Sequence, residues 1–328
     1  MKRREFITLL SSTTIWPLAA RAQQPDRVRR IGVLMSYTED NPEAQPRLAA
    51  FTQGLQELGW TNGGNIHFEY RYSGGDAERA RKYAAELVAL APDVILAGNT
   101  STVGPLQQAT RTVPIVFAGA VDPVAAGFVD SLARPGGNIT GFVQFEYSMS
   151  GKWLELLKEI APRVTRVAVL RDATTTVDTG ELAAIQNAAS SLGVEVSPLS
   201  VRDTDEIERG IAAFARVSNG GLIVAGSPAN TRYRKLITKL AIQHRLPAVY
   251  PYRYFVTLGG LISYGPDRVD PFRRAAVYID RILKGEKPAD LPVQAPVKYE
   301  LIINLKTAKV IGLAIPSAVL TRADEVIE

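Results

Sequence analysis

Residues 94–118 read VILAGNTSTVGPLQQATRTVPIVFA. The apolar run at 94–97 predicts a buried strand, the segment 102–110 predicts a helix, and the apolar run at 115–118 predicts a second strand. Strand, helix and strand at this spacing require a parallel sheet, because the chain has to cross back through the helix before it can pair again in the same direction. The stretch therefore predicts an α/β fold.

The same alternation extends in both directions along the chain. Earlier strands are predicted at 31–35 and, at a sheet edge, 66–72, with helices at 46–58 and from 76 onward. After a strand at 139–142 the pattern begins again, with strands predicted at 167–170, 194–199, 222–224 and 248–249. The helices predicted between them are 150–160, 182–192, 205–215 and 233–244. Two successive sets of βα units predict two doubly wound parallel-sheet lobes.

The last part of the chain is too short to form a third domain. It has predicted strands at 261–264 and 299–303 around a helix at 271–283, and we expect it to cross back and complete both sheets. About three crossovers would then join the lobes. The predicted first lobe is 27–142 plus about 265–296, and the predicted second lobe is 143–264 plus about 297–328.

Residues 1–22 have the arrangement of a signal peptide. The basic segment KRR at 2–4 precedes a modestly apolar run, and ARA at 20–22 places small residues where a signal peptidase cleaves. The segment KRREF at 2–6 favours the twin-arginine route, with Sec export as the alternative. Since the chain has no cysteine for a lipid anchor, the sequence predicts a periplasmic protein that is soluble after export.

Composition argues against several classes of protein. The 328 residues include no cysteine and two histidines, so the sequence offers no thiolate or histidine-rich metal site and no Ser-His-Asp set. Much of the formal net charge of +5 lies in the predicted leader, which leaves no case for a nucleic-acid partner. No phosphate-binding or dinucleotide-binding glycine motif is complete. We therefore predict a protein that is not an enzyme and uses no metal or other cofactor.

Polar residues follow the predicted strands of both lobes at the ends where a crevice forms. In open parallel sheets the ligand lies beyond the carboxyl ends of the strands, and neutral hydrogen-bonding groups there suit a small polar or zwitterionic solute. Residues of this type at a strand-to-helix junction can instead be ordinary helix N-caps. The candidates are Ser36, Tyr37, Asn99, Thr100, Ser101, Gly119 and Asp122 from the first lobe and Asp172, Thr174, Ser227, Asn230 and Tyr250 from the second.

Two further candidates follow the first predicted crossover strand. Phe145 is placed to stack against a ligand, although core packing is the alternative. Glu146 is a candidate counter-ion for a ligand ammonium, and a solvated hinge carboxylate is its alternative.

Several segments resemble the substrate-binding proteins of ABC transporters, in the family that includes tryptophan- and tyrosine-binding members. They are GFVQFEYSMSGKWLELLKEIAP at 141–162, SYGPDRVDPFRRAAVYIDRILKGEKPADLP at 263–292, KYELIINLKTAKVIGL at 298–313, and the shorter DPV at 122–124 and RPGGNITG at 134–141. The resemblance implies the type I periplasmic-binding-protein fold, with three crossovers and closure around a ligand. It also implies an acidic residue near position 144, where this chain has Gln144 and places Glu146 two residues later.

The sequence therefore predicts the periplasmic solute-binding component of an ABC importer. Its partners would be a small solute and an inner-membrane permease, and we expect it to be a monomer. A sensory binding module that docks onto a membrane receptor is the alternative, because the sequence does not separate these two partners.

Overall fold

The computed structural model describes residues 27–173 and 176–328, so the predicted leader and Thr174 lie outside the described residues. The first sheet contains β1 (Arg29–Met35), β2 (Ile66–Tyr72), β3 (Val94–Ala97), β4 (Ile115–Ala120) and β5 (Ile139–Val143). The helices between these strands are α1 (Gln45–Glu57), α2 (Ala77–Ala89) and α3 (Thr100–Ala109). All strands of this sheet are parallel, in the order β2-β1-β3-β4-β5. The prediction that residues 66–72 form an edge strand is confirmed.

The second sheet repeats this order and then extends it. Its strands are β6 (Arg166–Arg171), β7 (Glu195–Ser200), β8 (Gly220–Val224), β9 (Ala248–Tyr250), β10 (Ile262–Pro266), β11 (Tyr299–Asn304) and β12 (Glu325–Ile327). They lie in the order β12-β11-β10-β9-β8-β6-β7, with β11 antiparallel to β10. The helices are α4 (Met149–Ile160), α5 (Thr176–Leu192), α6 (Thr204–Ala215), α7 (Pro228–Arg232), α8 (Arg234–Gln243), α9 (Arg253–Thr257), α10 (Asp270–Leu283), α11 (Leu305–Ile311) and α12 (Ser317–Thr321).

Both faces of each sheet are covered by apolar clusters. On the first sheet, one cluster includes Phe51 of α1 and Ile279 of α10, and the other includes Leu87 of α2 and Leu106 of α3. The second sheet packs against α4 and α5 on one face and against α6 and α8 on the other. This arrangement of helices on both faces confirms the predicted pair of doubly wound lobes. No helix within the described residues is both long and apolar enough to cross a lipid bilayer.

The chain passes between the two sheets three times, after β5, after β10 and before β11. The expectation that the last part of the chain adds strands to both sheets is wrong, because β10, β11 and β12 all join the second sheet. This part contributes α10 to the first lobe, where Ala276 lies close against Gly54 of α1. An isolated β-bridge between Phe142 and Gln294 joins this last part of the chain to the edge of the first sheet.

Helix α5 begins at Thr176, six residues before the predicted start at Leu182. The sequence TVDTGE at 176–181 contains no helical apolar period, because Val177 is its one apolar residue. The missed turns carry Asp178 and Glu181, both of which are buried. The short helices α7, α9, α11 and α12 were also missed, since five to seven residues are too few to show a period.

Candidate functional site

The strand order reverses between β1 and β3 in the first sheet and between β6 and β8 in the second. At such a switch point neighbouring loops diverge, and the crevice between them is the usual ligand site of an open α/β sheet. Most of the polar residues predicted from sequence follow these strands, whereas Gly119 and Asp122 lie at the end of β4 and Tyr250 ends β9.

Three of the predicted residues of the first lobe bond to one another, and others bond within the neighbouring loops. Asn99 donates a 2.5 Å hydrogen bond from Nδ2 to Ser36 Oγ, and Ser101 Oγ donates to Asn99 Oδ1 at 2.9 Å. Thr100 Oγ1 accepts a 2.9 Å bond from the Val121 backbone. The side chain of Asp122 accepts one from the Ala125 backbone at 3.0 Å. These groups stabilise the loops at the mouth of the first sheet.

The predicted residues of the second lobe lie mostly within their own loops. The Asp172 backbone donates to Asp178 Oδ2 at 2.6 Å, which ties the end of β6 to the first turn of α5. Ser227 caps α7 by accepting a bond from the Asn230 backbone. The Asn230 amide donates to the Leu170 and Ala225 carbonyls, and so joins the ends of β6 and β8.

Two of the predicted aromatic residues are core residues in this conformation, and the predicted counter-ion is exposed. Phe145 is fully buried against Trp153, and Tyr250 is fully buried in a stack with Phe255. Glu146 is exposed. Burial and, after it, the charge of Glu146 raise the pKa of Tyr299 at the start of β11.

A cavity of about 330 Å³ lies between the lobes. The start of α1 lines it from the first lobe, residues 251–254 and Thr257 line it from the second, and residues 265–269 of the second crossover close it. A smaller cavity shares Arg47 and Arg268 with it and reaches Gly119 and Gln144. Of the predicted residues that the structure describes, Gly119 alone lines one of these two cavities.

Two guanidinium groups face the larger cavity and share one tyrosine. Arg268 donates a 3.0 Å hydrogen bond to the hydroxyl of Tyr37, while the guanidinium of Arg47 lies over the Tyr37 ring at 5.0 Å from its centre. Arg47 is 3% exposed, and its ion pair is with Glu43 at 3.2 Å. Burial alone raises the pKa of the Tyr37 hydroxyl, but the two arginines outweigh burial and the net shift is downward. The two guanidiniums therefore make this part of the wall positive, while Glu43, Asp267 and Glu300 also line the cavity.

Tyr252 connects the two lobes next to this wall. Arg268 lies over its ring at 4.2 Å. Its hydroxyl accepts a 2.5 Å bond from Gln144 of the first crossover and donates a 3.2 Å bond to the Gly226 carbonyl of the second lobe. Burial is the main reason that the pKa of Tyr252 is raised, so the hydroxyl stays protonated and able to donate.

A buried acid lies on the other side of Gly226. Glu181 is fully buried, and its Oε2 atom accepts a 2.8 Å bond from the Gly226 backbone. Burial, followed by the charge of Asp178, raises its pKa well above the ordinary value. Its Oε1 atom has no hydrogen-bond partner among the described residues.

Sequence reasoning missed the most strongly charged part of the site. Arg47 and Glu181 lie inside helices, and Arg268 lies between the end of β10 and the start of α10. Within the described ranges, 27–173 and 176–328, no group of three His, Asp or Glu residues is arranged to hold a metal ion. The residues present are therefore suited to binding through hydrogen bonds, ion pairs and aromatic faces.

Two similar α/β lobes, three crossovers and a charged cavity between the lobes define a type I periplasmic-binding-protein fold. The sequence model of the family "ABC transporter substrate binding protein" matches residues 33–327. The chain therefore belongs to the ABC transporter substrate-binding proteins.

Known relatives agree with this assignment. A protein of Clostridioides difficile (strain R20291) named "Tyrosine-binding protein" is 24% identical over 297 residues, which cover 89% of this chain and 84% of the relative. The crystal structure of a conserved domain protein from Vibrio cholerae is 27% identical, with a TM-score of 0.84 over 92% of this chain and all of that chain. A Streptococcus pneumonia ABC domain in complex with L-Trp is 26% identical, with a TM-score of 0.82 over 91% of this chain and 99% of that chain.

Proposed function

We propose that this protein is the solute-binding component of an ABC importer, that it acts in the periplasm as a monomer without catalysis, and that it delivers its solute to a membrane permease. Membership of the substrate-binding family and the cavity between the lobes support this role. The proposed first lobe is 27–142 plus about 265–296. The proposed second lobe is 143–264 plus about 297–328. The packing of α10 on α1 and the pairing of β11 with β10 support that division.

The proposed solute is an α-amino acid with an aromatic side chain. The observation that carries this proposal is the pair of guanidiniums, Arg47 and Arg268, on one wall of the cavity. Arginine keeps its charge in proteins and binds carboxylates in a two-pronged geometry, so this wall favours a ligand carboxylate. Tyr252 and Tyr254, with ring centres 5.4 Å apart, provide an aromatic surface beside it. The names of two relatives contain tyrosine and L-Trp, and each of these ligands has a carboxylate and an aromatic side chain.

Contacts between the lobes support capture by closure. The Arg268 guanidinium over the Tyr252 ring joins the two lobes, and the bond from Gln144 to Tyr252 joins the first crossover to the second lobe. A ligand that contacts both lobes at once stabilises the closed arrangement by its difference in affinity for the closed and open states. The closed arrangement is then the form presented to the permease.

The test is a thermal-shift screen of the purified protein followed by calorimetry. The ligands are L-tyrosine, L-tryptophan, L-leucine, a sugar and a nucleoside. We expect the melting temperature to rise with the aromatic amino acids, because a ligand that binds only the folded state stabilises it by mass action. A rise with the sugar or nucleoside alone would contradict the amino-acid assignment, and no rise with any small solute would count against the binding role.

A further inference from the structure

We propose that Asp267 receives the ammonium group of the solute, while its chain neighbour Arg268, together with Arg47, receives the carboxylate. This inference rests on the proposed function, because it names the second charged contact of the same amino acid in the same cavity. The position of Asp267, the bonds that hold its side chain and the charge balance of the cavity support it.

Asp267 lies on the second crossover, between the end of β10 and the start of α10, and it lines the cavity together with Arg268. Along a regular strand, consecutive side chains point to opposite faces. Strand β10 ends at Pro266, and beyond it both residues line the same cavity. The ammonium and the carboxylate of an α-amino acid are bonded to one carbon atom, so the groups that receive them must also lie side by side. Neighbouring residues of opposite charge meet this requirement.

Backbone groups hold the Asp267 side chain in place. Its Oδ1 atom accepts a 2.8 Å bond from the Val269 backbone and a 3.3 Å bond from the Asp270 backbone, at the start of α10. The Asp267 backbone donates a 3.3 Å bond to the Lys298 carbonyl of the third crossover. Its Oδ2 atom accepts no hydrogen bond from any residue of the described ranges. One oxygen thus orients the carboxylate, and the other is left for a donor from the solute.

The second crossover lies directly against the second lobe. A Cβ atom built at Gly265 would be 1.8 Å from the Pro251 carbonyl oxygen, so glycine is required for the two backbones to approach this closely. Pro251 and Tyr252 line the same cavity, and the guanidinium of Arg268 lies 4.2 Å from the centre of the Tyr252 ring. An amino acid whose charged end is at Asp267 and Arg268 therefore has an aromatic surface beside its side chain.

The other charged groups that line the cavity already have ion-pair partners. Glu43 pairs with Arg47 at 3.2 Å. Glu300 pairs with Lys298 at 3.2 Å and with Arg253 at 3.7 Å. These four cavity residues can therefore stay charged without a solute.

Asp267 and Arg268 are the exceptions. Neither forms an ion pair with any residue of 27–173 or 176–328. Asp267 is one of the smaller charges that raise the pKa of Lys298, but the ammonium of Lys298 bonds to Glu300. Arg268 bonds to the hydroxyl of Tyr37. A zwitterion supplies these two residues with one partner of each sign and adds no net charge to the cavity.

The experiment compares ligands that differ only in the ammonium group. Calorimetry measures the binding of L-tyrosine and L-tryptophan, and of desaminotyrosine and indole propionate, to the purified wild type and to Asp267→Asn. Asparagine removes the charge but keeps an Oδ1 acceptor for the two backbone bonds. We expect L-amino-acid binding to weaken by about tenfold or more, the usual effect of removing a charged hydrogen-bond partner, and the deaminated acids to stay within about twofold.

Asp270→Asn is the matched control. Asp270 makes the same change of charge possible three residues later, and its ion pair is with Arg274 on the same helix at 3.7 Å. It lines neither of the two cavities. We expect the affinity for all four ligands to be unchanged.

Other results separate this inference from the function on which it rests. Equal losses for both ligand types in Asp267→Asn would show a structural role and overturn the inference, as would an unchanged affinity for the L-amino acids. A wild type that binds the deaminated acids as tightly as the L-amino acids would overturn it too. In each of these cases the wild type still binds amino acids and the proposed function stands. If the wild type binds none of the four ligands, the proposed ligand class and this inference both fail.

A second variant covers the case in which Asp267→Asn does not fold. Asp267→Ser keeps a short oxygen acceptor of the kind that caps helix starts, and it carries no charge. We expect it to weaken the L-amino acids by about tenfold or more and to leave the deaminated acids within about twofold. An equal effect on both ligand types would contradict an ammonium contact at Asp267.

Discussion

Arg268 and Glu181 are both ionisable side chains beside Tyr252, and they differ in their partners. Arg268 bonds to Tyr37 and lies over the Tyr252 ring, whereas one oxygen of Glu181 has no partner among the described residues. The difference follows from chemistry. A guanidinium cannot lose its charge in a protein, so the fold has to provide permanent partners. A carboxylate can take up a proton, so it can stay buried without a charged partner.

The largest expected effect is at the positive wall. Arg268→Ala removes the donor to Tyr37 and the cation over Tyr252, and we expect the affinity for an aromatic amino acid to fall about 100-fold, or about 2.7 kcal/mol. Arg268→Lys keeps the charge without the two-pronged geometry, and its affinity is expected to lie between those of the wild type and Arg268→Ala. Calorimetry measures both. Arg281→Ala, which breaks a surface ion pair with Glu286, is the control and is expected to bind normally. A normal affinity in Arg268→Ala would contradict the positive wall as the carboxylate site.

The buried carboxyl group of Glu181 predicts a dependence of stability on pH. The raised pKa of Glu181 means that the folded protein keeps a proton that the unfolded chain loses above pH 4.5, its ordinary value. The folded state then binds more protons, so stability falls as the pH rises, by about 1.4 kcal/mol per pH unit in that range. Urea unfolding of the wild type and Glu181→Gln between pH 4.5 and 7.5 measures this. We expect the variant to gain stability over the wild type as the pH rises, and a constant difference would mean that Glu181 ionises normally.

The bond between the first crossover and Tyr252 predicts a smaller effect. Tyr252→Phe removes the hydroxyl that accepts from Gln144 and donates to Gly226. We expect a loss in affinity of about 1 kcal/mol, or about fivefold, seen mainly as faster release of the ligand. Tyr254→Phe is the matched control, because its hydroxyl bonds to Thr231 within the same lobe. Stopped-flow kinetics distinguish the two variants, and equal release rates would contradict the bridging role of Tyr252.

The smallest effect concerns a residue that the sequence placed in the crevice. Ser227 caps α7, so Ser227→Ala is expected to lower the free energy of unfolding by about 1 kcal/mol and leave ligand affinity unchanged. Chemical denaturation and calorimetry measure the two quantities. A loss of affinity with unchanged stability would instead support the direct ligand contact predicted from sequence.

The sequence was most informative where a pattern extends over many residues. The run at 94–118 has two apolar strands around a helix, and the structure places β3, α3 and β4 there within two residues of the predicted bounds. Asp76 was expected to open a helix, and its side chain accepts the 2.7 Å capping bond from the Arg79 backbone. Short or polar elements gave no comparable signal. The start of α5 has too few apolar residues for a period to appear, and the helix α9 is too short.

The candidate site was harder to predict, because its residues come from distant parts of the chain. The structure brings Ser36 and Asn99 together, but of the described residues predicted from strand ends, Gly119 alone lines one of the two cavities. The ends of the predicted strands did not indicate the charged residues of the site. Arg47 and Arg268 are 221 positions apart and meet at Tyr37, a contact that neither local sequence encodes.

The sequence by itself therefore determined the α/β class, the two lobes and the resemblance to a solute-binding family. These follow from hydrophobic periodicity and local motifs, which depend on neighbours within a few turns of chain. Only the tertiary structure decided that both late strands join the second sheet and that Arg47 and Arg268 line one cavity. The physical reason is that burial and pairing of a charge depend on which distant elements pack together, and the chain passes between the lobes three times before that packing is complete.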